Sequence, residues 1–254
     1  MKKILTKHTS AKASHYTASA PHYDAFNAAH MGVLHHTLHK ILQKNSVQSV
    51  VDVSCGTGAQ VFWLLEHGYS VWGFDINAAM LKKAKEKAKQ KSIGVKFCKG
   101  DMRTLKTQPC DAVISMFNAV GHLTRQDFIK AMRNAYQHLN QGGVYVFDIF
   151  NLQYLMHKDT ITRLTIDWFK AYQGETIRDI QYSTINEKGV LASYTTSIAQ
   201  GRIREHAQTL QVYSSLQLKT MLRGVGFKKI QVLALDGSTF KPTRTERMFA
   251  VAHK

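Results

Sequence analysis

The stretch VVDVSCGTGAQ (Val50–Gln60) decides how the rest of the chain is read. A run of β-branched residues reaches Asp52 and then gives way to a turn of small residues, Ser54-Cys55-Gly56-Thr57-Gly58. Glycine lets backbone come close to a ligand and accepts the positive φ of a sharp strand-to-helix turn. Gly56 and Gly58 therefore suggest a nucleotide-like ligand lying over the turn. Which nucleotide depends on what surrounds it.

Outward from this turn, strand and helix patterns alternate. VQSVVDVS reads as a buried strand, AQVFWLLEHG as a helix ended by Gly68, and YSVWGFD as a second strand. NAAMLKKAKEKAKQK is a helix with Asn77 as N-cap, GVKFCKGD a third strand and DAVISMF a fourth. RQDFIKAMRNAYQHLN is a helix, and VYVFDIF follows a Gly-Gly turn as the fifth strand. Upstream, Tyr23–Leu42 carries apolar residues at helical spacing, among them Val33, Leu34, Leu38, Ile41 and Leu42. Such alternation implies a parallel sheet with helices on both faces.

After Phe150 the pattern changes. Residues 151–213 hold β-type stretches without long helices, with turn signals at Gln173-Gly174 and Asn186–Gly189. We expect an antiparallel insertion there. SSLQLKTMLRGVG then reads as a helix, and FKKIQVLAL and ERMFAVAHK as two closing strands. The expected division is a flexible segment over 1–20, a cofactor-binding core over 21–150, an antiparallel β insertion or lid over 151–213, and the C-terminal part of the core over 214–254.

Composition narrows the classes. The 254 residues are 44% hydrophobic and 20% charged, which fits a globular chain and excludes a disordered one. No apolar run approaches the roughly 20 residues of a membrane span. The N-terminus lacks the apolar core of a secretion signal. Three cysteines without metal or disulfide spacing fit a reducing compartment, and the expected location is cytoplasmic. The net charge of +17 admits a nucleic-acid partner, an anionic small substrate or an acidic partner protein.

The opening turn departs from the G-x-G-x-x-G dinucleotide pattern, since Val61 stands where the third glycine belongs. Asp75 ends the second strand, where an acid accepts hydrogen bonds from ribose hydroxyls in sites for NAD and for S-adenosylmethionine alike. Asp101, after the third strand, is placed to accept from an adenine amino group, with Met102 packing by the ring.

VVDVSCGTGAQ, VWGFD, CKGDM, DAVISMFNAVGHL and LNQGGVYVFDIFN stand in the order of the class I S-adenosylmethionine-dependent methyltransferases, which residues 20–150 resemble. Ser54 departs from the glycine most frequent there. The resemblance implies an α/β fold: a Rossmann-like seven-stranded methyltransferase sheet, with the antiparallel β insertion after its fifth strand. It also implies S-adenosyl-L-methionine as cofactor. FNAVGHL, DIFN and the insertion are similar to the small-molecule N-methyltransferases of the glycine/sarcosine and amino-sugar type. That implies a β-rich lid and an N-terminal segment that closes the site.

The resemblance places Ser54, Cys55 and Gly56 at the methionine end of the cofactor, with Asp52 helping to hold its amino group. Asp75 falls at the ribose, Ile76, Asp101 and Met102 at the adenine, and Met116 beside the sulfonium. The catalytic candidates are His122 and Asn118, just after the fourth strand, and Tyr23, with Tyr16 as a second closing aromatic. Arg202, Arg204, Glu205 and His206 of the insertion are candidates for substrate selection or ordinary surface charges. His35 and His39 have helical metal-pair spacing but no third ligand, so no metal site is expected. Pro109-Cys110 precedes the fourth strand, which is the wrong side for a cytosine-5 methyltransferase nucleophile.

The expected function is methyl transfer to a small-molecule acceptor, an amine, by a monomer or homodimer without a membrane partner. The alternatives are an RNA methyltransferase, supported by charge alone, and a non-catalytic S-adenosylmethionine-binding protein. An NAD-dependent oxidoreductase stands further off.

Overall fold

The described residues of the computed structural model are 7–18, 20, 23–157, 163–170 and 176–254. The strands β1 (Ser49–Asp52), β2 (Ser70–Asp75), β3 (Lys96–Lys99), β4 (Cys110–Ser115) and β5 (Leu139–Phe150) run parallel. With β10 (Ile230–Ala234) and β11 (Arg247–His253) they form one sheet in the order β10-β11-β5-β4-β1-β2-β3. β11 is antiparallel to both its neighbours. The strand order reverses between β1 and β4, and a parallel sheet binds ligands at the carboxyl ends beside such a switch.

β1 is buried because both sheet faces are covered. Val50 packs in one core with Leu34 and Leu38 of α1 (Tyr23–Lys44), Val61 and Leu64 of α2 (Ala59–Glu66), and Leu81 of α3 (Ala78–Gln90). Val51 packs in the other with Phe128 and Met132 of α4 (Arg125–His138) and Leu218 and Leu222 of α6 (Ser215–Val225). This is why the strand reads as a continuous apolar run and not as an alternating one. Of the apolar positions expected on α1, Val33 turns outward and is exposed.

Local signals fix the boundaries. Asn77 caps α3, its side-chain oxygen accepting from the N–H groups of Ala79 at 2.9 Å and Met80 at 3.0 Å. Such a cap contributes about 1 kcal/mol. Ser214 and Gln217 form a reciprocal capping box on α6. β5 begins before the Gly-Gly turn expected to precede it. Its register to β4 shifts between Cys110 and Ala112, and Gly142 takes up the irregularity at φ 80°.

The second sheet follows α5 (Leu152–His157) and is an antiparallel meander, β6 (Arg163–Lys170), β7 (Thr176–Ile185), β8 (Val190–Ala199) and β9 (Arg202–Gln211). The Asn186–Gly189 turn closes through Gly189 N–H to the Asn186 carbonyl at 2.9 Å. The Gln173-Gly174 turn lies outside the described residues. Leu155, Leu191, Leu210 and Val212 tie the meander to α5 in a small core of their own.

Candidate active site

The carboxyl ends of β1 to β4 open into a largely apolar cavity lined by the opening turn, the strand ends and the N-terminal segment. Its floor is the opening turn. Gly56, at φ 55°, faces the cavity, and its N–H donates to Asp75 Oδ2 at 2.8 Å. Asp75 Oδ1 accepts from Asn77 N–H at 2.8 Å. Burial lifts the Asp75 carboxyl above its ordinary range, and these backbone donors oppose the rise.

Gly58 has a different task. At φ 88°, an added Cβ would stand 2.8 Å from the Phe97 ring, so this glycine answers to backbone and core and not to the cavity.

The expected cofactor residues separate into two groups. Ser54, Gly56, Asp75, Ile76, Asp101, Met102 and Met116 line the cavity. Asp52 and Cys55 stand behind it. Asp52 accepts from the Ser54 N–H at 3.0 Å, and burial pushes its carboxyl up to about 7 against that hydrogen bond. Cys55 belongs to the core, and burial raises its thiol. Asp101 is bound by Arg103 in a fork, with Nε at 2.9 and 3.0 Å and Nη2 at 2.5 Å. Burial works against ionisation here, but Arg103 outweighs it and the carboxyl sits below its usual range. Arg103 also reaches Asp127 at 2.7 Å. Sequence reasoning missed Arg103, although its position two residues after Asp101 was the available signal.

The roof comes from sequence-distant segments. Ala11, Lys12, Ala13, His15 and Tyr16 line the cavity from the N-terminal side, with Tyr23 at the start of α1. The Ala11 N–H donates to the His122 carbonyl at 2.9 Å, and the Ser10 hydroxyl to Asp127 at 2.7 Å. His15 bonds Gln208 at 3.1 Å, and His8 bonds Thr209 at 2.9 Å, so β9 backs the strap. His206 lies with its ring 5.6 Å from His15, whereas Arg202 and Arg204 are exposed on β9. A latch holds α1 down: Asp24 accepts from Thr57 and pairs with Lys87, which also donates to the Thr57 carbonyl at 3.1 Å.

His122 sits at the inner end of the roof. Its Nε2 is 2.5 Å from the Tyr16 hydroxyl, and its Nδ1 is buried without a partner. Burial, and then His15 and His8, push the imidazole down to about 3. Burial raises the Tyr16 and Tyr23 phenols. The Tyr16 phenol and the imidazole are therefore both neutral, and one hydrogen bond joins the phenol oxygen to Nε2.

Asn118 does not join this group. At φ 56° its N–H donates to Asp148 at 3.1 Å, and its side-chain oxygen accepts from Phe150 N–H at 3.2 Å. Arg247 pairs with the same Asp148 oxygen at 2.5 Å, so Asn118 is part of a buried wall. His35 and His39 do not converge on a shared ion either: His35 stacks on Trp63 while His39 bonds Tyr69. Among the described residues no group of three or more His, Cys, Asp or Glu could hold a metal, and no helix is long and apolar enough to cross a membrane.

A small-residue turn with a facing glycine, an acid with two oxygens at the second strand end, and apolar walls of Ile76 and Met102 suit an amino-acid end, a ribose and an adenine. The comparisons agree with this chemistry. The Methyltransferase domain family matches residues 50–143. The putative methyltransferase YqeM of Bacillus subtilis is 26% identical over 215 residues, covering 81% of this chain and 83% of the relative. The glycine/sarcosine N-methyltransferase of Parasynechococcus marenigrum is 30% identical over 128 residues, 49% of this chain and 45% of that protein, so the match spans less than half its length. The structure of CalS10 with S-adenosylmethionine bound, an amino pentose methyltransferase from Micromonospora echinaspora, superposes with a TM-score of 0.68 at 23% identity, over 90% of this chain and 96% of that one.

The chain carries a methyltransferase domain over residues 50–143 on the fold of the class I S-adenosylmethionine-dependent methyltransferases. Its cofactor is S-adenosyl-L-methionine.

Proposed function

We propose that the enzyme methylates an amine on a small molecule. One observation carries this reading: the residue at the inner end of the roof, His122, is a neutral imidazole held by Tyr16 and pushed down to about 3. A hydroxyl acceptor needs a base near neutrality to take its proton. An imidazole titrating near 3 is too weak for that, but it is a fixed hydrogen-bonding group. An amine needs only to arrive neutral, and a poorly solvated pocket favours the neutral form.

In this reading Ser54 and Gly56 hold the methionine end of the cofactor, with Asp52 acting through the turn it braces. Cys55 supports the same turn from behind. Asp75 takes the ribose, Ile76, Asp101 and Met102 take the adenine, and Met116 lies by the sulfonium. Bound there, the cofactor supplies an electrophilic methyl group. The protein's part is alignment and exclusion of water. His122 and Tyr23 face the acceptor, and Tyr16 fixes His122. Asn118 contributes by shaping the loop that carries His122. The N-terminal strap and the 151–213 insertion form the cover, as a unit distinct from the 21–150 and 214–254 core.

The glycine/sarcosine enzyme and the amino pentose enzyme among its relatives support an amine acceptor. The test incubates the protein and S-adenosylmethionine with glycine, sarcosine, a nucleotide-linked amino sugar, hydroxyl counterparts and RNA, and follows methyl gain by mass spectrometry. Methylation of an amine alone is the expected result. Methylation of hydroxyls or RNA, with no amine accepted, overturns the reading.

A further inference from the structure

The lysines of α3 are sorted by face. Lys83, Lys87 and Lys91 follow one flank at helical spacing, and each has a carboxylate: Glu86, Asp24 and Glu66. Lys82, Lys85 and Lys89 form a second stripe, all exposed, and none of them makes an ion pair among the described residues. That stripe spans about 10 Å of helix. It shares a groove with Lys99 of β3 and with Glu86, whose carboxylate is held by Lys83 at 3.0 Å. Past the end of β3 a second groove is lined by Arg103, Lys106, Lys130 and Arg133, with no carboxylate in its lining. Arg103 pairs with Asp101 and Asp127 and Lys130 with Asp127, while Lys106 and Arg133 are exposed and make no ion pair among the described residues.

Folding gains nothing from the unpaired stripe itself. Like charges one helical turn apart repel and destabilise the helix by a few tenths of a kcal/mol per pair. Lysines on β3 protect an open sheet edge from pairing with other chains. That accounts for Lys96 and Lys99 but not for the α3 stripe or for Arg133 on α4.

We propose that two basic grooves bind nucleic acid, gripping the phosphates of a duplex: one along α3 and β3 on one side of the sheet, and one between the segment after β3 and α4 on the other. Each groove gathers several cations, as contacts to successive phosphates require. No Phe, Tyr or Trp lines either groove, so no base-stacking platform is present. Among the described residues, none of the exposed large apolar side chains, Val33, Met156, Tyr182, Ile203 and Leu216, lines either groove, so the grooves lack the anchors of a membrane-binding surface. This assigns a binding partner and leaves the methyl acceptor as proposed above.

The test is fluorescence anisotropy of labelled duplex RNA and duplex DNA with the full chain over a salt series, alongside sedimentation with phosphatidylglycerol vesicles. The variant Lys82→Gln/Lys85→Gln/Lys89→Gln is compared with Arg223→Gln/Lys228→Gln/Lys229→Gln, which removes equal charge beside the opposite sheet edge. We expect salt-sensitive duplex binding. The α3 triple should weaken it at least ten-fold and reduce the slope of log K against log salt by about 2 to 3. The control triple should change it less than two-fold, and both variants should keep the melting temperature and S-adenosylmethionine affinity of the parent. Absence of duplex binding at low salt, equal losses in the two triples, or binding to vesicles alone overturns the proposal.

Discussion

The Tyr16 hydroxyl lies 2.5 Å from Nε2 of His122, joining the N-terminal strap to the loop after β4. Two shifted groups meet there, a phenol raised by burial and an imidazole lowered by it. Both groups stay neutral, the phenol with its proton and the imidazole uncharged, joined by one hydrogen bond. The roof therefore delivers a neutral, oriented ring to the site.

Tyr16→Phe removes that restraint without changing the cavity outline. We expect kcat/KM toward the amine acceptor to fall about ten- to a hundred-fold, as for other losses of positioning. His122→Asn should fall at least as far. Cofactor affinity, measured by calorimetry, should stay within two-fold in both variants.

The two glycines of the opening turn should separate in experiment. Gly58→Ala meets the Phe97 ring at 2.8 Å with a strained φ, and its stability loss in chemical denaturation should be about 2 kcal/mol or more. Gly56→Ala finds its nearest neighbour, Tyr23, at an ordinary 3.7 Å. Its stability cost should be about 1 kcal/mol. Its added methyl stands at the cavity floor, so S-adenosylmethionine affinity should fall at least ten-fold.

Asp75→Asn tests the ribose position. The amide has one acceptor oxygen where the carboxylate has two, while Gly56 and Asn77 both donate to this side chain. Loss of a charged acceptor should weaken binding of S-adenosylmethionine and S-adenosylhomocysteine alike by about 1.5–3 kcal/mol. Equal calorimetric affinities in parent and variant would remove Asp75 from the cofactor site.

Stability should depend on pH through the buried imidazoles. His35 is pushed down to about 4, first by burial and then by His67 and His36, and His122 to about 3. Their unfolded value is 6.5. Below about pH 6.5 the unfolded chain takes up protons that the folded chain refuses, so these groups lower stability as pH falls from 6.5 toward 4. Asp52 acts with the opposite sign: pushed up to about 7, it takes stability away as pH rises from 3.8 to 7. His35→Phe isolates one contribution. It also removes a buried Nε2 that has no partner. The variant should be more stable by about 1 kcal/mol at pH 7 and by a larger margin at pH 5. Denaturant melts at the two pH values check this.

Lys87→Met breaks the latch between Asp24 and the Thr57 carbonyl. The pair is partly exposed, so the stability cost should stay below about 1 kcal/mol. Release of α1 from the turn should raise the cofactor dissociation rate several-fold, read by stopped-flow displacement.

By itself the sequence determined the fold and the cavity floor. Val50–Asp52 could be read because a strand buried on both faces needs a continuous apolar run. Asn77 could be read because a cap acts on the two or three residues that follow it. Gly56 and Asp75 could be read because strand ends in a parallel sheet meet at one edge, so chain order alone brings them together. The tertiary structure decided matters that depend on direction and on distant partners. Asn118 and His122 are four residues apart in one loop, yet Asp148 draws Asn118 into the wall while Tyr16 holds His122 in the roof. Gly56 and Gly58 look alike in sequence, but Phe97, from another strand, claims Gly58 for the core. The lysines of α3 are alike in sequence, and only folding supplied Asp24 and Glu66 to one flank and left the other without an ion pair among the described residues. Local patterns encode backbone conformation and burial, because those act between near neighbours. The partner of a polar side chain is set by packing across the whole chain.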